Sequence, residues 1–136
     1  MNQVLFVCVG NSCRSQMAEA FARTYGSDVL LAASAGIAPA LTVAADTKRA
    51  MADKNIALDD QFPKSIQQLK AARFDLVINM SGVELPLLGQ APVRTWKVND
   101  PIGTKYTMHC EIRDQIEKLV MDLILELRRA SRAFAG

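Results

Sequence analysis

The sequence predicts an α/β fold, a single three-layer domain in which a four-stranded parallel sheet is flanked by helices. Two patterns carry that expectation. Short apolar, β-branched runs near residues 4–9, 29–33, 74–80 and 93–98 read as buried strands. Between and after them lie stretches whose apolar residues recur at helical spacing, the crossovers that parallel neighbours need. A chain of 136 residues, half of them hydrophobic, is long enough for one real core. With no internal repeat and no low-complexity segment, residues 1–136 read as one unit.

The first strand runs into Cys8-Val9-Gly10-Asn11-Ser12-Cys13-Arg14-Ser15, after which Met17, Ala18, Phe21, Ala22 and Tyr25 follow helical spacing from a start at Ser15. Gly26 reads as the stop of that helix, residues 29–33 as the second strand and Ser34-Ala35-Gly36 as the turn that ends it. A loop over 37–45 leads to a helix over 45–55. Asp59, Asp60 and Pro63 punctuate the next connection, and Ser65 caps a short helix through Ile66, Leu69 and Ala72. Residues 74–80 and 93–98 supply the last two strands, the second running into Asn99-Asp100-Pro101-Ile102-Gly103. In the final helix, 108–134, a stripe is formed by Ile112, Ile116, Leu119, Val120, Leu123, Leu127 and Ala130. Arg128, Arg129 and Arg132 read as its solvated end, where cations suit the helix dipole. Ligands of such sheets gather at the carboxyl ends of the strands, where Cys8, Ser34 and Asp100 fall.

The turn after the first strand holds the chemistry. It sets Cys8 at a strand end and Arg14 at a helix start, so loop N–H groups and the helix N-terminus converge on one anion. Val9, Gly10, Asn11, Ser12, Cys13 and Arg14 form the expected oxyanion-binding loop. Only a thiolate is nucleophilic, and the helix dipole with the Arg14 guanidinium favours that form of Cys8. Arg14 offers a planar fork matching two oxygens of a tetrahedral anion. Gly10 suits a loop needing positive φ or close backbone approach, and Asn11 tolerates such angles next best. Cys13 reads equally as a partner for a reversible disulfide with Cys8 and as a small buried hydrophobe. Cys110, beside the lone His109, reads as structural, and Tyr106 as a plain loop residue.

Composition narrows the partners. A net charge of +2 with mixed signs gives no bulk attraction for nucleic acid. No apolar run approaches the roughly 18 residues of a membrane helix. Three cysteines, two of them in the loop, fit a reducing compartment, and the cytoplasm is expected. One histidine and scattered cysteines lack metal-ligand spacing, so neither metal nor other cofactor is expected.

Cys8, five intervening residues, Arg14 and Ser15 resemble the signature loop of the low-molecular-weight protein tyrosine phosphatases and of the arsenate reductases that share their fold. The longer string from Gly10 to Glu19 is more similar to the reductase branch, since the phosphatases usually carry Pro where Gln16 stands. The resemblance covers nearly the whole chain, with further matches at Ser34-Ala35-Gly36 and Asp100-Pro101, and implies a phosphatase I-like fold. It implies that Asp100 is the general acid, that Ser15 donates to the Cys8 sulfur, and that the Ser34 hydroxyl bonds Asn11. Two departures stand out. Where the phosphatases carry an aromatic wall, residues 37–43 hold no aromatic side chain, and where thioredoxin-coupled reductases carry two relay cysteines, residues 81–90 hold none.

The first reading is therefore a phosphate-monoester hydrolase working through a phosphocysteine on a phosphorylated small molecule or phosphoprotein, because it needs nothing absent from the chain. The alternative is an arsenate reductase acting on the arsenate oxyanion and drawing on an external thiol such as glutathione, mycothiol or a glutaredoxin-like protein. A non-enzymatic oxyanion-binding domain is the third reading, and the intact set of Cys8, Arg14 and Asp100 counts against it.

Overall fold

The computed structural model describes residues 1–69, 73–86, 89 and 91–135. Its elements are β1 (Asn2–Cys8), α1 (Arg14–Tyr25), β2 (Leu30–Gly36), α2 (Ala45–Ala52), a 3₁₀ helix (Ile66–Leu69), β3 (Leu76–Asn79), β4 (Val93–Thr95) and α3 (Tyr106–Ala135). The strands form one sheet in the order β2-β1-β3-β4, every pairing parallel. Both faces of β1 are buried, as its continuous apolar run requires. Val4, Phe6 and Cys8 point to one side, where Met17, Phe21, Met51, Ile116, Val120 and Ile124 cover them. Leu5 and Val7 point to the other, against Ala35, Ile66 and Val77. The three α-helices thus share one face, and among the described residues the opposite layer is the 3₁₀ helix with its flanking connections. No helix among the described residues is long and apolar enough to cross a membrane.

Several boundaries differ from the sequence expectation for identifiable reasons. Ser34-Ala35-Gly36 does not end β2 but continues it, because β1 offers a ladder as far as Cys8, which pairs with Gly36. β3 and β4 are shorter than their apolar runs. Beyond Asn79 the chain turns, with Ser81 N–H and Oγ both donating to the Asn79 carboxamide oxygen, so β4 loses its partner after Thr95. α2 stops at Ala52 because Asn55 takes φ 60° and lets the Ile56 N–H reach back to the Met51 carbonyl at 3.0 Å. The Ser65 cap is present as a reciprocal pair, Gln68 N–H to Ser65 Oγ at 3.2 Å and Ser65 N–H to Gln68 Oε1 at 2.8 Å. The turn it opens is 3₁₀ rather than α-helical, and Ala72 lies outside the described residues. In α3 the stripe ends before Ala130, which is exposed. Arg128 is no free end, since it clasps Asp28 at 2.9 Å and the Tyr25 carbonyl at 2.8 Å.

Candidate active site

β1 delivers Cys8 to the carboxyl edge of the sheet, and the chain from Val9 to Cys13 wraps into the N-terminus of α1. The positive φ of this loop belongs to Asn11, at 48°, and Gly10 shows neither of its two expected reasons, since its φ is not positive and an added Cβ would meet only the side chains of Ser12, at 3.3 Å, and Ala40, at 3.9 Å. An Asn tolerates that region because its short amide finds local partners, and Asn11 finds two. Its Nδ2 donates to Ser15 Oγ at 2.7 Å, and its Oδ1 accepts the Lys64 N–H at 2.8 Å. Ser15 Oγ lies 2.8 Å from Cys8 Sγ. With the Asn11 amide donating into the serine oxygen, the serine proton is the one left for the sulfur.

The glycine that close approach demands is Gly36. A Cβ there would meet the Val9 carbonyl oxygen at 2.7 Å and the Asn11 nitrogen at 2.9 Å. The segment after it is laced to the loop by three backbone bonds, Ala38 N–H to Val9 O, Ala40 N–H to Gly10 O and Ala44 N–H to Ser12 O, at 2.9 to 3.0 Å.

Arg14 is buried, and its Nη1 donates to the carbonyls of Met80 at 2.5 Å and Val98 at 3.0 Å. Its Nη2 lies 3.7 Å from Asp100 Oδ2. Asp100 is half exposed and its Oδ1 accepts the Ile102 N–H at 3.0 Å, a turn closed ahead of Gly103. Cys8, Val9, Gly10, Ser12, Cys13, Arg14, Ala40, Asp100 and Ile102 together enclose a cavity of about 210 Å³. Among the described residues, none that lines it is aromatic.

A sequence profile described as low molecular weight phosphotyrosine protein phosphatase matches residues 3–133. The chain belongs to that family. A Synechocystis sp. protein named glutaredoxin arsenate reductase is 33% identical over 131 residues, 93% of this chain and 99% of the relative. A solved arsenate reductase in a phosphate-binding state superposes with a TM-score of 0.86 at 32% identity, covering 93% of this chain and 99% of that one. An arginine phosphatase from Geobacillus stearothermophilus shares the fold, with a TM-score of 0.87 at 22% identity over 98% of this chain and 97% of its own.

Other expectations about this family member's site change. Ser34 does not reach Asn11, whose carboxamide is already engaged. It shares a sheet face with its register neighbour Phe6 and donates to the buried Glu19 carboxylate of α1 at 2.5 Å. Cys13 lines the cavity, yet burial pushes its thiol up to about 12, so it remains protonated through the neutral range. Cys110 and Tyr106 lie on α3 outside the cavity wall. Tyr106 donates to Asp53, and that bond raises its phenol above the ordinary range. Trp96 packs on Phe6, ring centroids 5.9 Å apart, as core.

Sequence reasoning missed the layer behind the loop. Gln16 is fully buried, its Nε2 donating to the Asn11 and Phe62 carbonyls at 3.0 Å each while it accepts from Gln61. Glu19 is equally enclosed, paired with Arg23 at 2.8 Å and approached by Lys64 Nζ at 3.9 Å. Gln16 and Glu19 interrupt an otherwise apolar helical stretch, a signal that could have found them. Nothing in the sequence marks Lys64.

Proposed function

We propose that this chain reduces arsenate with electrons from an external thiol. The observation that carries the reading is the cavity itself, a small aliphatic-walled pocket with a cysteine, a buried arginine and an exposed carboxylate, suited to a tetrahedral oxyanion and offering no ring for an aryl ester to stack on. Two of the relatives reported, each at more than 30% identity, bear the name arsenate reductase. That support turns the balance from the hydrolase favoured on sequence to its alternative.

Arg14, with Nη1 committed to main-chain carbonyls, presents the edge bearing Nε and Nη2 to the anion, while loop N–H groups take the remaining oxygens. Cys8, as thiolate, attacks arsenic. An S–As bond forms as an As–OH bond of hydrogen arsenate breaks, its hydroxyl leaving as water on taking a proton from Asp100. An external thiolate then attacks Cys8 Sγ. The S–As bond breaks with its electron pair passing to arsenic, arsenite departs, and Cys8 is left in a mixed disulfide that a second external thiol reduces. Ser15, donating to the sulfur, stabilises it whenever it leaves as an anion. The electrons come from outside because Cys13 is held protonated, Cys110 is off the cavity and residues 81–90 contain no cysteine. The name of the Synechocystis relative makes glutaredoxin with glutathione the reductant to supply first.

A specific observation favours a second activity at the same site, the hydrolysis of small phosphate esters: Cys8, Arg14 and Asp100, the groups such a reaction would call on, line one cavity, with Ser15 Oγ 2.8 Å from the Cys8 sulfur. The deciding experiment follows arsenite formation by the reduced protein with glutathione, glutaredoxin and a reductase system, beside ester turnover, in wild type and Cys8→Ser. Arsenite formation that needs both the thiol system and Cys8 supports the proposal. Ester hydrolysis without arsenite formation would overturn it in favour of the phosphatase.

A further inference from the structure

We propose that Lys64 is a positioning residue of the nucleophile loop, its ammonium neutralising the buried Glu19 carboxylate behind the loop while its own N–H fixes Asn11. The inference deepens the reading above, since it concerns the same loop, but its test does not depend on which oxyanion reaction the loop performs.

Glu19 stands four residues beyond Ser15, on the same face of α1 and one turn of about 5.4 Å further along. Its side chain is 2% exposed. A carboxylate enclosed there acts against what the loop is built for, since it repels both a thiolate at Cys8 and any bound oxyanion. Three groups face it. Ser34 Oγ donates to Oε1 without adding charge, Arg23 pairs with Oε2 from a half-exposed position where solvent screens it, and Lys64 Nζ sits 3.9 Å from Oε1 with its side chain only 18% exposed. Lys64 is therefore the shielded countercharge.

The same residue organises the loop through its main chain. Its N–H holds the Asn11 carboxamide at 2.8 Å, and its carbonyl accepts the Gly36 N–H at 2.8 Å. Its ammonium also donates to the Phe62 carbonyl at 3.1 Å, the oxygen to which Gln16 donates. Burial holds this ammonium below the ordinary lysine range, with Glu19 pulling the other way and Arg23 adding to the depression. The order of contacts runs Lys64 to Asn11, Asn11 to Ser15, Ser15 to Cys8. Lys64 thus adds to Arg23 a second, shielded countercharge for Glu19, and through its main-chain N–H it braces Asn11, the left-handed residue of the loop.

The test compares wild type, Lys64→Met, Lys64→Arg and the double variant Lys64→Met/Glu19→Gln. Two readouts serve: the affinity for inorganic phosphate, and the rate at pH 7 of Cys8 alkylation by iodoacetamide, followed on the Cys8 peptide by mass. Lys64→Met is expected to bind phosphate about tenfold more weakly, equivalent to about 1.4 kcal/mol, and to slow alkylation. Lys64→Arg is expected to stay near wild type, and Glu19→Gln to return most of the loss in the double variant. A lysine that served stability alone would shift the thermal melt of Lys64→Met while leaving phosphate affinity and the alkylation rate of the folded protein unchanged. Alkylation of Lys64→Met at the wild-type rate, or a double variant no better than Lys64→Met, would overturn the proposal. A wild-type protein that reduces no arsenate would defeat the functional reading while leaving this comparison intact.

Discussion

Two thiols five residues apart are both about 2% exposed and both line the cavity, but they have different partners. Cys8 faces the Ser15 hydroxyl at 2.8 Å, whereas burial pushes the Cys13 thiol up to about 12 and keeps it protonated through the neutral range. Iodoacetamide between pH 7 and 9 is accordingly expected to label Cys8 and to leave Cys13 unmodified in the folded protein. Peptide masses check this, and labelling of Cys13 at a comparable rate would contradict its protonated state. Asp100→Asn keeps the turn but removes the transferable proton, so turnover is expected to fall about 100-fold or more, with phosphate affinity changed far less. Equal losses in both would make Asp100 a binding group instead. At this scale the sequence was readable where a residue's chemistry is local: strand end, loop and helix start bring Cys8, Arg14 and Ser15 to one turn, although the carbonyls that orient Arg14 come from Met80 and Val98. It was not readable for Ser34, whose partner depends on which sheet face it shares with Phe6, nor for Lys64, which meets Asn11 across 53 residues.

At the scale of elements, β2 matters to the loop through one missing side chain. The Cβ of Gly36→Ala would press on backbone atoms of Val9 and Asn11 that cannot step aside, so a cost of about 1–3 kcal/mol is expected, together with weaker phosphate binding. At Gly26 an added Cβ would meet Ile124 Cγ1 and Cδ1 at 2.7 and 2.8 Å and the Ala22 carbonyl oxygen at 3.2 Å, all of them away from the nucleophile loop. Gly26→Ala is therefore expected to cost stability while leaving phosphate affinity alone. Urea denaturation and phosphate titration of the two variants make the comparison, and equal effects on affinity would contradict it. The order of strands and helices follows from periodicity, yet the ends of β2, β3 and β4 do not. Those ends are set by how far a neighbour continues: Cys8 for β2 and Asn79 for β4. Small residues at 34–36 carry turn propensity, which the ladder of β1 overrides.

For the whole molecule, α3 closes the main core. Ile116 is completely buried in the core cluster that α3 shares with α1, α2 and the sheet, and Ile116→Ala is expected to cost about 2–5 kcal/mol in denaturant unfolding. A value under 1 kcal/mol would mean the helix is less integral than its packing implies. Two ion pairs tie α3 to the sheet side, Asp28 with Arg128 and Glu126 with Arg94, and in each the arginine lowers the carboxyl below its ordinary value. Lowered carboxyls stabilise above the unfolded-state range near 4 and lose that contribution as pH falls through the folded value. The variant Asp28→Asn/Glu126→Gln should therefore show a flatter decline of stability below about pH 4, measured by thermal melts, and an unchanged slope would exclude these pairs as its source. The two carbonyls that hold Arg14 come from positions 66 and 84 residues further along the chain. Closing contacts across such separations carries a loop-entropy cost that local contacts escape. The cation beside the thiol is therefore held by the second half of the chain, and a molecule in which the segments around Met80 and Val98 have not docked has Arg14 without its two anchors.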